Sequence, residues 1–401
     1  MLGQFNLDFE TMSTCKKARA EATSIVSSDR LSSLPPEIKG NILSRLNVEE
    51  AVRTSTLSTT WRDEWTDMPE ISLCDGNFTR TKFVTLVDMV LLLHKGIIEE
   101  FDISGNKSYH DEFGRWMLML SRRSPKSVII KLNSGPRYRI PSYLFSIGDL
   151  ESLELENCII SLPLVFQGFK SLTDLSLKIF SSTDMDIQTL ISSCPDLTDL
   201  ILTSVEGIDC LNIQAPKLEY LNTAKAYQSV PIAHDKESYV KQLLESISDV
   251  KTLSVSGSLF LKYLIKGCIL TKFPAMFHRL ENIYLGICIW DQRQASAICS
   301  FFQNAPNLKM VELWDHMGAL SGSGNHSRAH PGNANGPSRN GQCETFWGSD
   351  YEVDFVAKLL SWAPALEEVK LEWKGKIDRS MVLTKLLALP RVSPRAKIII
   401  T

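Results

Sequence analysis

The sequence predicts an α/β chain: three short helices near the N-terminus, then a curved solenoid whose strands form a parallel sheet on its concave face. Three observations predict it. Between residues 34 and 65 apolar side chains recur at helical spacing. Beyond residue 97 an apolar-x-x-apolar-x-apolar phrase returns again and again. A short phrase ending in Pro-x-Leu introduces several of its copies.

The helices come first. Leu34-Pro35-Pro36-Glu37 opens a helix, with proline in the first turn, where its missing N–H has no intrahelical partner to lose. Ile38, Ile42, Leu43 and Leu46 then give it one apolar face. Asn47-Val48-Glu49-Glu50 has the form of an N-cap with an acidic first turn, opening a second helix that carries Ala51, Val52, Ser55 and Leu57. Trp61 and Trp65 stand four apart, on one side of a third short segment. Three helices in so few residues enclose a small core, and a module of this size gains stability from a partner.

The repeats follow. The phrase reads Ile98-Phe101-Ile103, Leu150-Leu153-Leu155, Leu172-Leu175-Leu177 and Leu197-Leu200-Leu202. It reads on through Val250-Leu253-Val255, Leu280-Ile283-Leu285, Leu308-Val311-Leu313 and Leu366-Val369-Leu371, with weaker copies at Ile130-Leu132 and Leu218-Leu221. Most intervals are roughly 21 to 32 residues, which overlaps the period of leucine-rich repeats. Ser193-Cys194-Pro195-Asp196-Leu197, Gln214-Ala215-Pro216-Lys217-Leu218, Asn304-Ala305-Pro306-Asn307-Leu308 and Trp362-Ala363-Pro364-Ala365-Leu366 share one design: proline ends a helix and turns the chain into a strand. A unit of this kind buries its apolar strand face only by stacking on its neighbours. Residues 318–345, rich in Gly, Ser and Asn, read as a flexible loop, and residues 1–28 as a disordered tail.

Composition narrows the function. With 43 Lys+Arg against 46 Asp+Glu the net charge is −3, which gives no electrostatic reason to expect nucleic acid. Lys16, Lys17 and Arg19 form a small basic cluster that reads as a solvated tail or a nuclear signal. No apolar run reaches about 18 residues, so no membrane span is expected. The nine cysteines form no Cys-x-x-Cys pair and read as free thiols of a reducing compartment, cytoplasmic or nuclear. His326, His330 and Cys343 have ligand-like spacing, but they lie in or beside the glycine-rich loop and lack a fourth partner, so no metal or cofactor is expected. Asp184 and Asp186 read as loop or helix-capping residues rather than an acid–base pair. No nucleophile–base or phosphate-loop pattern is present, and an enzyme is the least expected class.

Residues 29–70 resemble the F-box of plant F-box/leucine-rich-repeat proteins. The likeness rests on Asp29-Arg30-Leu31-Ser32-Ser33-Leu34-Pro35, Ile38, Ile42-Leu43-Ser44, Leu46, Glu50-Ala51-Val52-Arg53-Thr54-Ser55, Leu57-Ser58, Trp61-Arg62 and Trp65. Residues 71–317 would then be the leucine-rich repeats. Residues 346–401 hold the last repeat and a stretch resembling the FBD-type end of the same family, through Leu387-Ala388-Leu389-Pro390 and Ser393-Pro394-Arg395-Ala396-Lys397-Ile398-Ile399.

The resemblance implies a non-catalytic adaptor: the F-box binds a Skp-type protein, and through it a cullin and a RING subunit, while the repeats hold a protein substrate for ubiquitination. Carried over by position, the Skp-type contacts are Leu34, Pro35, Ile38, Ile42, Leu43, Leu46, Val52, Ser55, Leu57 and Trp61. Two positions depart from the family pattern and bear on that binding: Lys39 replaces the usual apolar residue, and Thr59-Thr60 precede Trp61 where a basic residue is more usual. On the strands, alternation points Glu154, Ser176, Lys178, Ile201, Thr203, Ser254, Tyr284, Glu312, Trp314, Lys370 and Glu372 outward; Glu154, Ser176, Lys178, Tyr284, Glu312, Trp314 and Lys370 are the candidate substrate contacts, with Tyr284 and Trp314 as aromatic anchors. Two rival readings stay open: a sensor in which a small molecule completes the substrate site, and a repeat scaffold whose F-box no longer binds.

Overall fold

The computed structural model describes residues 31, 33–43, 45–46, 48–54, 61–208, 211–224, 237–256, 276–286, 298–299, 301–314, 349–373 and 378–401. The expected tail (1–28) and loop (318–345) lie outside the described residues, as do Ser55, Leu57, Thr59 and Thr60.

Helix α1 spans Pro36–Leu43 and α2 spans Val48–Thr54. The third segment is a 3-10 turn, Glu64–Asp67, with Trp61 and Trp65 both turned inward. This turn packs on α1, and α2 packs on the first strand. The helical module therefore does not close its own core. Leu43, Trp65, Met68 and Ile71 belong to one hydrophobic cluster that runs on to Ile400.

Among the described residues thirteen strands follow: β1 (Glu70–Cys74), β2 (Glu100–Gly105), β3 (Ser127–Leu132), β4 (Tyr138–Arg139), β5 (Ser152–Ile159), β6 (Asp174–Ser181) and β7 (Asp199–Glu206). Then come β8 (Tyr220–Ala224), β9 (Thr252–Ser256), β10 (Asn282–Gly286), β11 (Met310–Trp314), β12 (Glu368–Leu371) and β13 (Lys397–Ile400). All pair in parallel and, apart from the short β4 beside β5, in chain order, so the sheet is open and grows one strand per repeat. The crossovers hold helices α3 (Arg80–Leu93), α4 (His110–Ser121), α5 (Asp184–Ser192), α6 (Glu237–Ser246), α7 (Asp350–Trp362) and α8 (Arg379–Leu387).

Each recurring phrase lands as expected: Leu153 and Leu155, Leu175 and Leu177, and Leu200 and Leu202 are almost wholly buried on one face of the sheet. Burying such a side chain contributes about 1.5–3 kcal/mol, and only the neighbouring repeat makes that burial possible. Strands β1 and β13 extend the array beyond the recurring phrase at both ends.

Two further features of the sheet lie outside the apolar phrase. The first is a ladder at the residue entering each strand. There the backbone N–H of Lys126 bonds Glu99, that of Glu151 bonds Lys126, and so on through Thr173, Thr198, Glu219, Lys251, Glu281, Lys309, Glu367 and Lys397. The charges alternate from Glu99 to Glu151 and again from Glu219 to Lys397, with two threonines between. Lys126 pairs with Glu151 (3.6 Å), Lys251 with Glu219 (2.7 Å) and Lys309 with Glu281 (2.9 Å). The second is a line of left-handed residues, Asn157 (φ 58°), Ile179 (φ 51°) and Ser204 (φ 52°), side by side in β5, β6 and β7. Each resets the in–out alternation by one residue, so that Cys158 and Phe180 turn back into the core.

Candidate functional site

The first candidate surface is on α1. Ile38 is 44 % and Ile42 36 % exposed, one turn apart, with exposed Pro35 and Leu31 beside them. Leu34, Leu46 and Val52 are half-buried. Leu43 and Trp61 are packed inside. The apolar residues of α1 thus divide between two faces: Ile38 and Ile42 line the outer one, while Leu43 shares the inner one with the residue four before it, Lys39.

Lys39 is 6 % exposed. Its ammonium lies 3.2 Å from Glu64 and 5.7 Å from the centre of the Trp61 ring. The departure from the family pattern is therefore accommodated within the module, by an ion pair and a cation–π contact, and does not lie on the exposed stripe.

The module joins the repeats through a tight seam. The N–H groups of Lys95 and Gly96 donate to Thr66 O at 2.8 and 3.1 Å, and those of Glu99 and Glu100 donate to Pro69 O. A Cβ on Gly96 would sit 2.9 Å from the Asp67 Cα, so only glycine allows this approach. His94, 2 % exposed, bonds Met68 O through Nε2 at 2.8 Å, while its Nδ1 has no hydrogen-bond partner among the described residues. Burial lowers its pKa below the ordinary histidine value.

The first repeats are locked by a buried carboxylate. Asp75 is 1 % exposed, and its Oδ2 accepts from the backbone N–H groups of Asn106 and Lys107 (3.0 Å each) and from the Tyr109 hydroxyl (2.9 Å). Tyr138 Oη in turn accepts from Tyr109 N at 2.8 Å. Burial and the adjacent carboxylate raise the Tyr109 pKa well above the ordinary phenol value. Gly105 is required here too, because a Cβ would come within 2.8 Å of the Asp75 carboxyl. The sequence offers no periodic signal for this network.

The second candidate surface is the open face of the sheet. Glu154, Ser176, Lys178, Ile201, Thr203, Tyr284, Glu312, Lys370 and Glu372 are all half-exposed there. Ser254 is a correction: it is 8 % exposed and buried despite its outward register, in a row between Asn222 and Tyr284. Trp314 holds the last place in β11, opposite Gly286. Glu154 accepts from Lys178 at 2.5 Å and faces Lys131 at 3.3 Å, and these lysines hold its carboxyl below the usual range against the opposing effect of burial. Asp184 and Asp186 lie in the first turn of α5, whose cap is Thr183: its Oγ1 accepts from Asp186 N at 3.1 Å, and the Asp186 carboxylate accepts from the Thr183 hydroxyl and from Leu162 N. Cys158, Cys194 and Cys299 are buried free thiols, pushed by burial to about 12, 11 and 11.

Comparison with known proteins bears on both surfaces. The F-box domain family matches residues 31–72, which include α1, α2, the 3-10 turn and most of β1. The repeats of the FBD-associated F-box protein At5g56370 match residues 114–256. The F-box/FBD/LRR-repeat protein At1g13570 of Arabidopsis thaliana is 30 % identical over 93 % of this chain and 98 % of its own length. The chain belongs to the F-box/FBD/LRR-repeat family. A second relative from the same plant, At5g56420, is 27 % identical over 71 % of this chain and 76 % of its own. An F-box implies in general a Skp-type partner, and proteins of this F-box/LRR kind are typically non-catalytic adaptors. In this family member the F-box presents Ile38 and Ile42 outward, and the repeats present a polar, partly charged sheet.

Proposed function

We propose that this chain is the substrate-recognition adaptor of a Skp–cullin–F-box ubiquitin ligase, working in the cytoplasm or nucleus. The observation that carries the reading is the exposed Ile38–Ile42 stripe on the F-box helix, two large apolar residues left in water by a module that buries its other face. A Skp-type adaptor covers that stripe and brings in the cullin and RING subunits. The repeats hold a protein substrate on the open sheet. The chain itself supplies no reacting group: tethering raises the effective concentration of substrate near the activated ubiquitin carried by another subunit. With Lys39 turned inward, the strongest sequence argument for an F-box that no longer binds loses its force.

The test is co-expression with a plant Skp-type adaptor and size-exclusion chromatography. The wild-type chain co-elutes with the adaptor, and Ile38→Asp with Ile42→Asp abolishes co-elution while leaving the circular dichroism and melting temperature unchanged. A folded wild-type chain that elutes alone would overturn the reading.

A further inference from the structure

The N-terminal end of the repeat array is only half covered. Strand β1 lies under α2 of the F-box module. Helix α3, which leads from β1 to β2, turns Phe83, Val87, Val90 and Leu91 into the core. Asp88 ties it to α4 through Arg115 and the Trp116 ring N–H, both at 2.8 Å. A helix turns about 100° per residue, so Leu86 and Leu93, seven apart, share the side away from α4. Among the described residues that side stays open. The end unit of a solenoid needs a polar outer face to remain soluble. Here the end is apolar: Leu92, Leu93 and Ile97 are 66 %, 51 % and 74 % exposed. Two turns earlier on the same side, Leu86 joins Leu73 and Phe78 around an open cavity of about 170 Å³.

This bare end adjoins the F-box. The N–H groups of Lys95 and Gly96 donate to Thr66 O, and the Lys95 ammonium pairs with Asp63 at 3.5 Å. A Cβ on Gly96 would sit 2.9 Å from the Asp67 Cα. The Ile97 Cα is therefore within about 8 Å of that atom. Asp67 ends the 3-10 turn, and α1 packs on the same turn. With packed helical elements about 8–10 Å apart, the Ile38–Ile42 stripe and the Leu93–Ile97 patch flank one turn at a separation of roughly 20–25 Å. Two isoleucines alone are a small footing, because a stable interface takes about 800 Å² and 20–30 residues from each side. Such an interface is about 30 Å across. A partner of that size seated on the stripe reaches the patch, and the patch supplies apolar area that the stripe lacks.

We propose that the Skp-type protein held by the F-box also docks on the N-terminal end of the repeat array, with Leu93 and Ile97 as its contacts there. This rests on the adaptor reading, which supplies the partner. Docking there does two things. It covers the apolar end that the array leaves bare. It also places one rigid partner on both sides of the seam, so the angle between the F-box and the repeats is fixed in the complex. That angle sets where the repeats hold a substrate relative to the ubiquitin carried by another subunit.

The test takes the complex of the 401-residue chain with a plant Skp-type adaptor and chases it with an excess of fluorescently labelled adaptor. The expected result is that Leu93→Ser with Ile97→Ser exchanges adaptor about tenfold faster than wild type, while the melting temperature of the chain alone stays level. Leu164→Ser with Val165→Ser, at exposed apolar positions between β5 and β6, exchanges at the wild-type rate. The photoreactive residue p-benzoylphenylalanine in place of Ile97 cross-links the adaptor, and in place of Leu164 it does not. An unchanged exchange rate, or no adaptor cross-link from position 97, would overturn the proposal. So would a lower melting temperature of the chain alone, which assigns the patch to packing within the chain, or a cross-link from position 97 to a second copy of the chain instead. A wild-type chain that forms no complex defeats the adaptor reading; a stable complex indifferent to Leu93 and Ile97 defeats this inference alone.

Discussion

The F-box module and the repeat array solve the same problem in opposite ways. The array buries its apolar strand residues almost completely, each repeat covering the next, and links its strand entries by a rim of backbone hydrogen bonds. The F-box module keeps Ile38 and Ile42 outside and places a lysine inside. In the array an unburied strand face would be repeated down the stack, and its buried carboxylate, Asp75, is held by three hydrogen bonds. A module that docks on another protein can leave apolar surface uncovered until the partner arrives. The difference shows where selection for stability gives way to selection for binding.

The contrast is tested most severely at Asp75. In the array Asp75 is a buried acceptor of three hydrogen bonds, and Asp75→Ala leaves two backbone N–H groups and the Tyr109 hydroxyl without their acceptor. The expected loss is about 3–5 kcal/mol in chemical denaturation. Gly105→Ala alone costs about 1–3 kcal/mol through overpacking against the carboxyl, and much less when Asp75 is already alanine. Additive losses would mean that the two residues are not coupled.

Adjacent residues on α1 sharpen the comparison next. Leu43→Ala removes a wholly buried side chain and costs about 2–4 kcal/mol of stability. Ile42→Ala, one residue earlier, changes stability by less than about 0.5 kcal/mol. Its effect falls on the affinity for the Skp-type adaptor, which drops about tenfold or more by titration calorimetry. If both variants lose stability equally, the outer stripe is not free.

Within the F-box, the Lys39–Glu64 pair separates breaking an ion pair from replacing it. Glu64→Gln leaves the buried ammonium without its carboxylate and costs about 1–3 kcal/mol, since Glu64 is itself 23 % exposed and solvent softens the loss. Lys39→Met, filling the space with an apolar chain, is neutral or stabilising. A Lys39→Met protein that melts well below Glu64→Gln would show that the pair holds the fold rather than being tolerated by it.

These residues also mark how far the sequence could be read. The strand positions were legible because the phrase repeats: Leu200 and Leu202 are buried for the same reason as Leu175 and Leu177. The rim was legible in principle, since Leu218-Glu219, Val250-Lys251, Leu280-Glu281, Leu308-Lys309 and Leu366-Glu367 alternate in the aligned phrases. On α1 helical spacing grouped Ile42 with Leu43, yet a helix turns about 100° between them, and only packing decides which one faces out. Ser254 follows the alternation but is buried, because alternation fixes the direction of a side chain and not what covers it. Asp75 and Tyr109 had no signal at all, as their bond joins different repeats across 34 residues.

The array's own strain is a smaller effect. Ile179 holds a left-handed φ of 51° with its β-branched side chain 38 % exposed, a conformation that glycine and asparagine adopt far more readily. Ile179→Asn stabilises the chain by about 1 kcal/mol, read as a rise of a few degrees in melting temperature. Arg137 Nε donates to the Ile179 carbonyl at 3.2 Å, a backbone contact that the substitution keeps. A lower melting temperature would mean that the exposed isoleucine packs more than its exposure suggests.

The seam between the two regions gives the finest test, in the pH profile. His94 is held neutral by burial, and nearby Arg123 disfavours its charge further. Asp67 and the Met68 and Gly96 backbone groups favour the charge, but less strongly than burial opposes it. The folded-state pKa is therefore below the unfolded value of about 6.5. Above that pH His94 is neutral in both states and does not tilt the balance. As the pH falls below it, the unfolded chain takes up the proton first, so stability declines until the folded pKa is passed. His94→Gln can keep the donation to Met68 O and has no proton to gain. The variant should flatten the decline in melting temperature between about pH 6.5 and 5, and its difference from wild type should vanish at about pH 8. A wild-type profile that matches the variant's throughout would place the acid sensitivity in the carboxylates of the array and not at the seam.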